Sequence, residues 1–251
     1  MDKSKELAKN TIIITIGKIC TQFISFFLLP LYTAYLETGD LGTVDLLNTY
    51  ISLLVPIVTL QLENAVFRFL IDARENEEAK CTIITNVFKY IIIHIIIYSI
   101  IYLSIVNFIN VSYKYFLLSN VIVCIFSSIM LQIARGLGDN KTYSEGSVIC
   151  GALAVILNVF LIAILKLGAF GILISNLIAN ITCFLFILIK LKIYKYISIK
   201  NNKSQKVIKE MYKYSMPMIP NSISWWIVNA SDRTIISSLI SVSANGIYSV
   251  A

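Results

Sequence analysis

Charge is what this sequence has least of. Only 14% of its 251 residues are Asp, Glu, Lys or Arg, and 57% are hydrophobic. Soluble domains carry about 25% charged residues. That deficit, with a mean hydropathy of +0.80, excludes an ordinary soluble core and points to an all-α, polytopic membrane helix bundle. Histidine occurs once, as His94 in an apolar run. A multi-histidine metal site within the chain is therefore excluded, no nucleophile-base arrangement is visible, and a hydrogen-bonded core imidazole is expected. The five cysteines, Cys20, Cys81, Cys124, Cys150 and Cys183, show no CxxC or metal-like spacing and read as packing residues. No enzyme, metal or cofactor is implied. A small-x-small cleavage site is missing after the first apolar run, which reads as an uncleaved transmembrane helix.

What is present is length of apolar sequence. Runs sufficient to cross a bilayer, about 20 residues each, fall at roughly 11–36, 43–70, 83–109, 115–134, 144–165, 169–191 and 214–240, and residues 245–251 open another. The net charge of +7 raises the question of nucleic acid, and the placement of the cations answers it. Sixteen Lys and Arg flank one set of connections, among them eight between Lys190 and Lys213, whereas the alternate set carries only Lys114 and Lys166. By the positive-inside rule the N-terminus is cytoplasmic, so the basic excess is a topology signal and no nucleic-acid partner is expected. Contact of the Lys-rich segment with anionic membrane lipid stays open as a second reading.

That segment divides the chain. The expected organisation is a six-helix transmembrane lobe over 1–194, a cytoplasmic linker over 195–211, and the first one to two helices of a second lobe over 212–251. Shifting the sequence by 204 residues lays the entry to the seventh span over the entry to the first, and Gly246 over Gly42. Repeated halves are typical of secondary transporters. Because the chain stops inside an apolar run, it is expected to be the first half, and a little more, of a longer protein.

Polar residues recur at helical spacing inside these spans. The first holds Lys18 and Gln22, the second Asp45, Asn48 and Glu63 with Arg68 at its end, and the fourth Gln132 and Arg135. Asn158, Asn176 and Asn180 follow, and the seventh carries Asn221, Trp225, Asn229, Asp232 and Arg233. A mid-bilayer Asp or Arg costs roughly 2.5–3.5 kcal/mol, so these faces need protein or water beside them. Helix packing satisfies that need, and so does a polar cavity. In a shared cavity the cations Lys18, Arg68, Arg135 and Arg233 would outnumber the acids. Such a lumen suits a phosphate-bearing anion, with Asn, Gln and Trp suited to sugars.

The string Pro217-Met218-Ile219-Pro220-Asn221-Ser222-Ile223-Ser224-Trp225-Trp226, followed by Ser231-Asp232-Arg233, resembles the start of the second half in polysaccharide flippases of the Wzx type. These belong to the multidrug/oligosaccharidyl-lipid/polysaccharide (MOP) exporter superfamily. Glu63-Asn64-Ala65-Val66-Phe67-Arg68-Phe69 is similar to the end of their second helix. Arg135-Gly136-Leu137-Gly138 with Asn140, Lys141 and Tyr143 is similar to their turn after helix four, and Leu29-Pro30-Leu31-Tyr32-Thr33 to the end of their first helix. The resemblance implies two six-helix lobes around a central cavity. It also implies alternating access that carries a polyprenyl-pyrophosphate-linked oligosaccharide across the cytoplasmic membrane, with the second lobe needed for function. The substrate-binding set it suggests is Lys18, Gln22, Asn48, Glu63, Arg68, Arg135, Asn221, Trp225, Asn229, Asp232 and Arg233. Two other readings remain: a MATE-like cation or drug antiporter using Asp45, Glu63 or Asp232 for a coupling ion, and a membrane enzyme of glycan assembly.

Overall fold

The computed structural model describes residues 15, 28–108, 112–197 and 205–250. Among these there is no strand. A first helix, α1, is described over residues 28–35. It is followed by α2 (Thr38–Thr59), α3 (Leu62–Asp72), α4 (Glu77–Ile105), α5 (Lys114–Gly136) and α6 (Asn140–Asn158). Next come α7 (Gly168–Lys190), α8 (Gln205–Ser215), α9 (Met218–Leu239) and α10 (Val242–Tyr248). Three short segments join them: 3-10 turns at Val106–Phe108 and Ile193–Lys195, and a π-helical run at Val159–Ile164.

The starts of these helices are written locally. Asn76 accepts from the Ala79 N–H at 3.0 Å to cap α4, with Glu77 and Glu78 in its first turn. Asp139 caps α6 by accepting from Thr142 N–H at 2.9 Å, and Ser241 caps α10 by accepting from Ala244 N–H at 3.0 Å. Each side chain satisfies an otherwise orphaned amide, and acids there face the positive end of the helix dipole.

Five described helical stretches are long and apolar enough to cross a membrane: Thr38–Thr59, Glu77–Phe108, Lys114–Gly136, Asn140–Ile164 and Gly168–Lys190. Their lipid-type surface is plain on α4, where Ile92, Ile96, Ile97, Ile100 and Ile101 are all exposed. The core lies between α3, α5 and α7, with α4 and α6 alongside, and is filled by Leu62, Leu70, Ile84, Ile91, Ile125, Ile129, Met130, Ile133, Leu173 and Ile187. Close approach of α3 and α5 depends on Gly136, where an added Cβ would lie 2.7 Å from the Leu70 Cβ. Asp40 on α2 accepts from the Ala169 N–H at 3.2 Å, tying the start of α2 to the start of α7.

One expectation is corrected. The run 43–70 is not one helix: Leu60 and Gln61 take left-handed φ values of 52° and 60°, and the chain restarts as α3. The last carbonyls of α2, those of Pro56 and Ile57, are taken up by the amides of Gln61 and Leu60. Within the Lys-rich stretch 195–211, α8 begins at Gln205. Val207, Ile208 and Met211 fall on one helical face and Lys206, Lys209 and Lys213 on the other, so a segment that looks merely basic folds as an amphipathic helix against α3 and α4. Tyr212 on α8 meets His94 Nε2 at 2.9 Å, the expected hydrogen bond to the imidazole.

Candidate functional site

The bundle has two ends: one gathers the starts of α2, α5, α7 and α10, and the other the turns carrying most of the lysines and arginines. The 23 residues of α5, from Lys114 at the first to Gly136 at the second, separate them by about 34 Å at 1.5 Å per residue. The site residues expected from sequence divide between these ends, and Lys18 and Gln22 lie outside the described residues.

At the basic end, Arg135 is half-buried. Its guanidinium stacks 4.4 Å from the Phe67 ring centroid and 5.3 Å from that of Tyr143, and Nη1 donates to Gln132 Oε1 at 3.1 Å. Arg68 is exposed and pairs with Asp72 at 2.6 Å. Arg74, which the sequence marked only as a topology charge, does more. Its Nε donates to the Gly136 carbonyl at 2.8 Å and its Nη2 to the Arg135 carbonyl at 3.1 Å, so it caps the C-terminus of α5.

Between the ends, the α2–α3 break presents Gln61, which accepts from Asn64 and donates to Ser222 on α9. Glu63 is only 9% exposed, and its Oε2 has no described hydrogen-bond partner. Two of the asparagines expected to line a cavity are turned into the bundle. The Asn180 side chain accepts from Ser127 at 2.7 Å and donates to the Asn176 carbonyl at 2.9 Å. Asn158 is 1% exposed. Along α9, the face against α2 is Ser222, Trp226, Ala230 and Arg233, with Trp226 Nε1 donating to the Thr49 carbonyl at 2.9 Å. The neighbouring stripe of Asn221, Trp225 and Asn229 is exposed, as is Asn48 on α2.

The densest polar cluster lies near the start of α2. Arg233 Nε is 3.1 Å from Asp45 Oδ2, with side-chain exposures of 35% and 20%. Asn245, fully buried, donates to the same carboxylate oxygen at 3.2 Å and to the Gly42 carbonyl at 3.1 Å. Tyr248 donates to Asp232, and so does the Arg233 amide. Sequence reading named Asp232 and Arg233 but missed Asn245 and Tyr248. The overlay of Gly42 and Gly246 was the one available signal.

Helix α2 lies in contact with both α9 and α10, so the chain's last helices dock on its first complete one. A family model described as "Polysaccharide biosynthesis protein" matches residues 7–251. The chain belongs to this family. No curated protein matches it. Among solved structures, the polysaccharide biosynthesis chain resembles an outward-facing multidrug resistance MATE family transporter of the MOP superfamily. That match has 17% identity, a TM-score of 0.73, and covers 89% of this chain and 54% of the other. A MOP superfamily transporter from Pyrococcus furiosus, described by the reverse polarity of its binding pocket, gives 16% identity, a TM-score of 0.73 and the same coverages of 89% and 54%. A MATE structure in the bent conformation gives 14% identity and a TM-score of 0.74, covering 99% of this chain and 60% of that one. The chain thus has the MOP transporter fold and spans a little over half the length of these structures. Its resemblance to Wzx-type flippases agrees with both the family and the fold.

Proposed function

We propose that this family member forms the first lobe, and the start of the second, of a flippase. It would carry a polyprenyl-pyrophosphate-linked oligosaccharide across the cytoplasmic membrane by alternating access. The N-terminus and the Lys-rich turns face the cytoplasm, and the start of α2 faces outward. The observation that carries this reading is Arg233. It is a partly exposed guanidinium set against Asp45 through Nε, on the helix that also carries the exposed Asn221, Trp225 and Asn229 stripe. A forked cation next to amide and indole groups suits a pyrophosphate joined to a sugar. The prenyl chain would stay in lipid, and a second lobe would close the opposite wall of the path.

A MATE-like antiporter is the competing reading, favoured by the described neighbours in fold. It needs a carboxylate free for a coupling ion: Asp45 is already engaged by Arg233 and Asn245, which leaves the buried Glu63, whose Oε2 has no described partner, as the group that reading would use. The deciding experiment is Arg233→Ala in the full-length gene product, in cells lacking their own exporter. Loss of surface glycan, accumulation of lipid-linked glycan in the inner leaflet and normal membrane insertion are expected. Wild-type surface glycan in that variant would overturn the assignment of Arg233 and of the phosphate-bearing substrate with it.

A further inference from the structure

The 204-residue overlay has a physical counterpart at the start of α2. Under that shift Glu37 becomes Ser241, and these two residues are the N-caps of α2 and α10. Thr38 becomes Val242, the first helical residue in each case. Gly42 becomes Gly246, and the two glycines touch. A Cβ added at Gly42 would meet the Val242 carbonyl oxygen at 1.8 Å, and one added at Gly246 would meet the Thr38 carbonyl oxygen at 1.9 Å. Each glycine's Cβ would also sit 2.9 Å from the other's amide nitrogen. The contact is reciprocal, residue i to j and j to i, as at an interface generated by a two-fold axis. Helices α2 and α10 cross with their backbones in contact, and any side chain at either glycine would hold them apart.

Glycine contact alone supplies proximity with few strong interactions. The polar cluster just inside it supplies the rest. Arg233 on α9 pairs with Asp45 on α2 at 3.1 Å, and Asn245 on α10 bonds both Asp45 and the Gly42 carbonyl. Three helices are therefore pinned through one carboxylate. Asp45 and Arg233 are both partly exposed as side chains, while the contacting Nε itself is buried.

We propose that the Gly42–Gly246 crossing with the Asp45–Arg233 pair is a latch that closes one mouth of the transport path and releases during the cycle. This rests on reading the chain as a transporter, and makes the described conformation one that is shut at the α2 start. Static packing would look the same in one structure but would never open.

Gly39 and Ser243 give a direct probe. They are equivalent under the 204-residue shift, and a Cβ at Gly39 would lie in van der Waals contact with Ser243 Oγ, at 3.5 Å, so cysteines at the two positions face each other across the crossing. The experiment uses Gly39→Cys with Ser243→Cys in the full-length product, its native cysteines replaced by serine, in native membranes. Rapid cross-linking by copper phenanthroline is expected, slowed on the order of tenfold by Asp45→Asn or Arg233→Gln. Export should stop in the cross-linked protein and return with dithiothreitol. Undiminished export by the cross-linked protein would make the contact static and overturn the latch. Equal cross-linking rates with and without the ion pair would overturn it too. If the uncross-linked parent exports no glycan, the flippase reading fails, and the cross-linking rates still decide whether the ion pair holds this mouth shut.

Discussion

At the residue scale, arginines of one sequence type do three different things. Arg233 is a partly buried cation with a carboxylate partner, so its loss leaves Asp45 half-buried and held by Asn245 alone. Arg68 belongs to a solvent-exposed i,i+4 pair with Asp72, where water screens the attraction. Arg68→Ala should leave the melting midpoint in detergent at that of the parent. Any loss of export in that variant would then report substrate contact. Arg74 is different again, because it caps α5 through two carbonyls. Arg74→Ala should lower stability by about 1.5–3 kcal/mol, the range for hydrogen bonds to a charged donor, measurable as a lower melting midpoint by tryptophan fluorescence. A periodic listing of cations along the chain cannot separate these roles, since the partners lie 61, 62 and 188 positions away.

At the element scale, α8 and the α2–α10 crossing were only half legible. Lysine density between 190 and 213 marks a cytoplasmic segment whether or not it is helical, because the positive-inside rule counts charge and ignores conformation. The alternation that makes α8 amphipathic is in the sequence, but only its packing shows which face is buried: Ile208 and Met211 lie against α3 and α4. Met211→Asp should detach α8 and open the Lys206, Lys209 and Lys213 positions to trypsin, with cleavage products appearing severalfold faster than in the parent. At the crossing, Gly246→Leu must push α10 off α2, since a Cβ there overlaps the Thr38 carbonyl. The expected result is lost cross-linking between cysteines at 39 and 243, while α2–α7 stay folded by circular dichroism.

At the scale of the whole molecule, the distribution of charge sets orientation. A reporter fused near Lys203 should read cytoplasmic and one inserted near Thr38 should read external, and the reverse pattern would invert the path proposed for the substrate. Arg68 and Arg135 lie at the basic end of the bundle and Arg233 near the start of α2. The polar residues between them are divided among interhelical bonds, an exposed stripe on α9 and buried positions such as Asn158 and Glu63. What remains continuous is the exposed α9 stripe beside α2, the surface that a second lobe would complete.

Composition alone fixed the class of this protein: with charge so scarce and apolar runs so long, only helices can satisfy the backbone in lipid. The order of spans, the charged side of the bundle and the family were also written in linear patterns. Tertiary structure decided which polar groups are partners, because a hydroxyl or amide in a helix can turn to its own carbonyl four residues back, to a neighbouring helix or to an open path. Those outcomes have the same spacing in sequence. It also turned two glycines 204 positions apart, which the sequence merely aligns, into one backbone contact, since only the folded chain brings their helices within touching distance.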